Sequence, residues 1–166
     1  MLNIGIVGVG AISQKAYLPV MRSIGNVKWY MCTRNQEVLN RESKLLGRCI
    51  PCNTIEELLQ FPLDGVFIHV STKAHFEVAK QFLEKGIPVY IDKPVAPSYE
   101  KTLELYQVAK KHDTFIMAGF NRRFAPKVEV LKSVEDKKRI IAEKNCTVAS
   151  QDTRTRVFDI FIHPLD

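Results

Sequence analysis

Gly8-Val9-Gly10-Ala11-Ile12-Ser13 follows directly on the β-rich run Asn3-Ile4-Gly5-Ile6-Val7, and its glycines have the spacing of a loop that cradles the pyrophosphate of a dinucleotide. Gly8 can take the tight turn out of a strand, Gly10 has no Cβ to hold off a phosphate, and the free N–H groups of the helix opened by Ala11 and Ile12 can bind the anion. Those four residues, Gly8, Gly10, Ala11 and Ile12, are therefore expected at a cofactor. The last position of the G-x-G-x-x-G pattern is Ser13, so the match is partial, and an ordinary strand-to-helix turn with two glycines is the competing reading.

Thr33-Arg34 bears on which cofactor binds. A site selective for NAD carries a carboxylate at the end of the second strand for the adenosine ribose, whereas NADP needs that charge absent and a cation nearby. Here a hydroxyl is followed by a guanidinium. Arg34 can make paired, charge-assisted bonds to a 2′-phosphate and Thr33 can donate another, so NADP is expected in preference to NAD. Lys93 stands between Asp92 and Pro94, at a strand end where the fixed φ of proline helps set the turn. A lysine in such a crevice can hold a ribose or substrate hydroxyl and pass a proton, with Asp92 keeping it charged; the ordinary alternative is a solvated surface lysine.

Asp159 and His163 are four residues apart on an expected helix, which places them on one face, where a carboxylate can orient an imidazole for acid–base work near neutral pH. Two such residues also occur on helices by chance. His69 lies inside an apolar strand and is expected to be a hydrogen-bonded core residue, whereas His75, near the carboxyl end of that strand, is expected to border the nicotinamide. Cys49-Ile50-Pro51-Cys52 has redox-motif spacing without a thioredoxin-like context, and no second pair of ligands stands at zinc spacing. Buried thiols in or beside a short strand, and no metal, are expected.

The elements that must position these residues alternate. Strands are predicted at residues 3–7, 27–32, 50–52, 66–70, 88–91 and 114–118. Helices are predicted between them: 11–24, kinked at Pro19, with Ile12, Ala16, Val20 and Ile24 on one side; one capped by Asn35 and stopped by Gly47; one opening at Thr54; 73–85; and 98–112, with Leu103, Tyr106, Val108 and Ala109 on its apolar side. This alternation implies an α/β fold, a doubly wound parallel sheet of order 3-2-1-4-5-6 joined by right-handed crossovers. Ligands of such sheets lie at the strand carboxyl ends, where the order reverses. The polar clusters at Thr33, Asp92 and Asn121 all fall at strand carboxyl ends. Beyond Pro126 a helix at 127–134, a strand at 139–148 and a helix from 158 are expected, the truncated start of a second α/β domain, so that the chain is expected to be a fragment or a truncated product.

Composition narrows the partners. With 166 residues, 46% hydrophobic and 25% charged, the chain suits a globular domain with a core. The net charge of +6 is scattered, its longest basic cluster being Lys137-Lys138-Arg139, which fits a solvated surface and no nucleic-acid partner. No leader-like amino terminus and no apolar run of spanning length are present, so no membrane and a cytoplasmic location are expected.

Taken with their order, Gly8-Val9-Gly10-Ala11-Ile12, Val70-Ser71-Thr72 through His75, Asp92-Lys93-Pro94, Gly119-Phe120-Asn121-Arg122-Arg123-Phe124-Ala125-Pro126, and Asp159 with His163 resemble the glucose-fructose oxidoreductase and inositol dehydrogenase family, Gfo/Idh/MocA. The Lys-Pro turn together with the Asn-Arg-Arg-Phe-x-Pro segment is far more specific than the glycine loop. The resemblance implies a Rossmann domain over residues 1–122, with 123–166 beginning a substrate and oligomerisation domain. It also implies NAD(P)-dependent oxidation or reduction of sugars, cyclitols and related compounds by a homo-oligomer. It places Ser71, Thr72, His75, Asp92, Asn121 and Arg122 at the cofactor. Lys93 would contact the nicotinamide ribose and the substrate hydroxyl, Asp159 would position substrate or histidine, and His163 would exchange the proton that accompanies hydride transfer. Asp92 stands where the family more often has glutamate, and Thr153-Arg154-Thr155-Arg156 where members often have glycines. A non-catalytic NAD(P)-binding regulatory or redox-sensing module on the same fold is the alternative, because fold alone does not fix function.

Overall fold

The computed structural model describes residues 1–143, 145 and 152–162. They form two compact units, Met1–Ala118 and Gly119–Asp166. The first unit contains β1 (Leu2–Val7), a π-helical turn (Ser13–Tyr17) running into α1 (Leu18–Met21), β2 (Val27–Cys32), α2 (Gln36–Leu46), β3 (Cys49–Cys52) and α3 (Ile55–Leu58). It continues with β4 (Gly65–Ile68), α4 (Thr72–Leu83), β5 (Val89–Ile91), α5 (Tyr99–Lys111) and β6 (Ile116–Ala118).

All six strands are parallel, in the order β3-β2-β1-β4-β5-β6. The chain is thus an α/β protein of the Rossmann type. Because β1 pairs with β2 on one side and β4 on the other, a crevice opens at its carboxyl end. Cores lie on both faces, as a parallel sheet requires. One holds Val66, Ile68, Phe82, Leu83, Ile91 and Leu105 beneath α4 and α5; the other holds Ile6, Leu18, Met21, Trp29, Met31 and Leu39 beneath α1 and α2.

Local chemistry sets the boundaries. The Asn35 carboxamide accepts from Val38 N–H at 3.1 Å, capping α2, and Gly47, at φ +85°, ends it. Thr54 caps α3 in the same way through Glu57 N–H at 3.1 Å. No helix among the described residues is long and apolar enough to cross a membrane.

Three expectations are corrected. The first helix ends at Met21, and its inward side is Ser13, Leu18 and Met21, while Ile12, Val20 and Ile24 are exposed. Proline has no N–H, and just before Pro19 the Leu18 N–H reaches back five residues to Ser13 O, so the phase of the helix departs from a plain α-repeat. In α5 the buried residues are Leu105 and Ala109, whereas Leu103 and Tyr106 face outward. In the second unit, the strand expected at 139–148 is absent from residues 139–143 and 145, which are exposed and without regular structure, and the rest of it lies outside the described residues. A strand needs a neighbour to complete its backbone hydrogen bonds, and among the described residues no strand pairs with these. That unit otherwise holds a 3₁₀ turn (Asn121–Phe124), α6 (Pro126–Lys132) and α7 (Thr153–Thr155), which continues as a π-helical stretch (Arg156–Phe161).

Candidate functional site

A cleft of about 540 Å³ lies where the sheet order reverses, lined by Gly8 and Gly10 after β1, by Thr33, Arg34 and Asn35 after β2, by Asn53 and Thr54 after β3, and by His69 to Ser71 after β4. Gly8 holds φ +90°, and a Cβ there would stand 2.8 Å from the backbone of His69 and Val70. Only glycine lets β1 and the chain after β4 close on each other at this point. Gly10 behaves oppositely: a Cβ would meet nothing within 4 Å and would project into open space at the cleft. A cradle bare of side chain at the opening of a helix suits a pyrophosphate, so the residues present fit a dinucleotide.

Ser13 fits the third motif position because it is fully buried and turns its hydroxyl to Gly8 O at 3.1 Å. The loop is also braced from outside. Gln14 donates to Val9 O at 3.1 Å and accepts from Arg41 at 2.7 Å, and Arg41 in turn pairs with buried Glu42, which Arg22 also meets at 2.7 Å. After β2, Thr33 Oγ1 accepts from Val9 N–H at 3.4 Å, which leaves its own proton available, and Arg34 is exposed. None of the described residues that line the cleft is acidic, and Arg34 is the cation among them. That charge pattern suits a phosphate better than a bare ribose diol.

Beside the cleft, the end of β5 carries a polar cluster. Asp92 accepts from the Tyr17 hydroxyl at 2.8 Å through Oδ1, while its Oδ2 lies 3.0 Å from His69 Nδ1. The Tyr17 and Tyr90 hydroxyls are 3.1 Å apart, and the Tyr17 ring lies over His69 with centroids 4.1 Å apart. Burial, with the Tyr90 hydroxyl and the Asp92 carboxylate beside it, pushes the Tyr17 phenol above its ordinary range, so it remains a proton donor. Lys93 follows directly, half-buried, joined to Pro94 by a cis peptide.

His75 is fully buried, with Nδ1 2.7 Å from Pro94 O and Nε2 3.1 Å from Val70 O. It braces the Lys-Pro turn against the chain after β4 and presents no face to the cleft, unlike the expected nicotinamide neighbour. Ser71 lines the cleft and Thr72 opens α4. Asn121 and Arg122 lie exposed on the 3₁₀ turn of the second unit. Asp159 falls within the helical stretch Arg156–Phe161, and His163 lies outside the described residues. Burial pushes the Cys49 thiol up to about 12 and those of Cys32 and Cys52 up to about 11, as inert core thiols behave. No group of metal-ligating side chains occurs among the described residues.

A family model described as an oxidoreductase family with an NAD-binding Rossmann fold, Gfo/Idh/MocA, matches residues 2–120. The chain belongs to this family. A crystal structure of a Gfo/Idh/MocA family oxidoreductase from Vibrio cholerae superposes with a TM-score of 0.85 at 34% identity, covering 99% of this chain and 55% of that one. YceM of Salmonella typhimurium, whose name classes it as an oxidoreductase, is 33% identical and covers 99% of this chain, over 54% of its own length. An inositol 2-dehydrogenase of Rhizobium meliloti is 28% identical over 90 residues, 54% of this chain and 27% of its own length. The chain therefore spans about half the length of the first two.

Within the Gfo/Idh/MocA frame, the side chains that sequence reasoning left out are Tyr17 and Tyr90. A tyrosine on the glycine-loop helix meets a carboxylate 75 positions later, and no local spacing announces such a contact. The available signal was Tyr90 inside the apolar strand β5 and His69 directly after the apolar strand β4, two polar groups each of which needs a partner.

Proposed function

We propose that the chain supplies the nucleotide-binding part of an oxidoreductase that transfers hydride between NADP, in preference to NAD, and a sugar, cyclitol or related hydroxy or carbonyl compound. The observation that carries this reading is the cleft: a bare glycine cradle, a lining without acidic residues among those described, and Thr33 with Arg34 at the end of β2. Membership of an oxidoreductase family and likeness to an inositol 2-dehydrogenase support the class of substrate. The cofactor brings the hydride chemistry, at C4 of its nicotinamide. The protein's part is orientation and proton management: Gly8, Gly10, Ala11 and Ile12 seat the pyrophosphate, Thr33 and Arg34 hold the 2′-phosphate, and Ser71 and Thr72 flank the nicotinamide half. Lys93 holds the nicotinamide ribose and the substrate hydroxyl, Asp159 positions the substrate or His163, and His163 exchanges the proton. Asn121 and Arg122 contribute to cofactor binding, residues 1–122 form the nucleotide domain, and 123–166 belong to the substrate domain of a cytoplasmic homo-oligomer.

Fluorescence titration of the 166-residue chain with NADPH and NADH tests the cofactor assignment. NADPH should bind more tightly, and Arg34→Ala should weaken NADPH about tenfold or more while leaving NADH within about twofold. Equal or tighter binding of NADH by the parent protein would overturn the preference.

A further inference from the structure

Tyr17, Asp92 and His69 come from three separate elements and meet around one carboxylate. His69 Nε2 is buried without a hydrogen-bond partner among the described residues. A charged imidazole would bury an unpaired N–H there, whereas a neutral ring with its proton on Nδ1 leaves only an unfilled lone pair and gives Asp92 a donor. Tyr17 directs its proton to Asp92 Oδ1, so the Tyr90 hydroxyl donates to the Tyr17 oxygen. In this arrangement Tyr17 and His69 each give a proton to Asp92, and Tyr90 supports the first of them. The three pieces of backbone so joined are the helix opened by the glycine loop, the chain after β4 that lines the cleft, and the turn that carries Lys93.

We propose that Tyr17, Asp92 and His69 form a positioning network that holds the Lys93 turn against the glycine-loop helix, and so fixes the nicotinamide end of a bound nucleotide and not its adenosine end. This rests on the reading of the cleft as an NADP site with Lys93 at the nicotinamide ribose. Tyr17 and His69 act through Asp92, and a purely structural role would affect both ends of the nucleotide alike.

The test compares two ligands on the full chain by calorimetry: NADPH, and 2′-phospho-ADP-ribose, the same nucleotide without its nicotinamide. Tyr17→Phe and His69→Leu should each weaken NADPH about tenfold, the loss expected for a hydrogen bond to a charged group, and leave 2′-phospho-ADP-ribose within about twofold. His69→Asn, whose amide N–H can stand where Nδ1–H stood, should restore NADPH to within about threefold of the parent. If His69→Leu does not fold, Tyr17→Phe, which removes a single oxygen, decides the matter. Equal weakening of both ligands, or no weakening of NADPH, would overturn the proposal while leaving the cleft assignment standing. A parent protein that binds neither ligand would sink the cleft assignment and the network's role with it. A nitrogen NMR spectrum placing the His69 ring proton on Nε2 would also overturn the arrangement.

Discussion

An alanine at Gly8 would drive its Cβ to 2.8 Å from the backbone of His69 and Val70 at a φ of +90°, whereas an alanine at Gly10 would meet nothing within 4 Å. The two substitutions should therefore separate stability from binding. Gly8→Ala is expected to cost about 2 kcal/mol or more, because strain at positive φ and a backbone collision act together. Gly10→Ala should leave the urea midpoint nearly unchanged and lower NADPH affinity about tenfold or more, since its methyl would occupy the phosphate's place. Chemical denaturation and nucleotide titration of the same two variants check both halves. The glycine pattern was legible in the sequence because spacing alone encodes it. So was the division of roles, Gly8 for the turn and Gly10 for the phosphate; what the sequence did not show is that Gly8 is held to glycine by the backbone of His69 and Val70 across the sheet, some sixty positions later.

At the scale of elements, strand order and helix caps followed from local chemistry: apolar runs bounded by glycine, and Asn35 and Thr54 placed one residue ahead of their helices. Helix faces did not. A four-residue spacing marks a face only if the helix keeps its period, and the turn before Pro19 does not. In α5, leucines at 103 and 105 point in nearly opposite senses, and what decides between them is the sheet beneath, which buries Leu105 completely and leaves Leu103 42% exposed. Leu105→Ala is expected to cost about 2–5 kcal/mol. Leu103→Ala should stay within about 0.5 kcal/mol. Thermal or urea unfolding of the pair checks the assignment; similar losses for both would mean that the inner face of α5 is wrongly identified.

For the molecule as a whole, every described residue that lines the cleft belongs to the unit Met1–Ala118, as do both hydrophobic cores found among the described residues. Residues 1–122, the proposed nucleotide domain, should accordingly fold alone and bind NADPH within about threefold of the complete chain. Circular dichroism and titration of that segment test this, and loss of binding despite a native spectrum would show that residues beyond it complete the site. The doubly wound layout could be read from the alternation of strands and helices. The Tyr17–Asp92–His69 cluster could not, because its members are brought together only by the closed sheet.

Trp29 is the single tryptophan of the chain, and it is buried in β2, four positions before Thr33. At the rise of an extended strand that places it roughly 13 Å of backbone from the expected 2′-phosphate site. Reduced nicotinamide absorbs in the range where a buried indole emits, so β2 carries its own optical donor. Occupancy of the cleft by NADPH, but not by NADP⁺ or 2′-phospho-ADP-ribose, can thus be read as energy transfer from Trp29 without attaching any label.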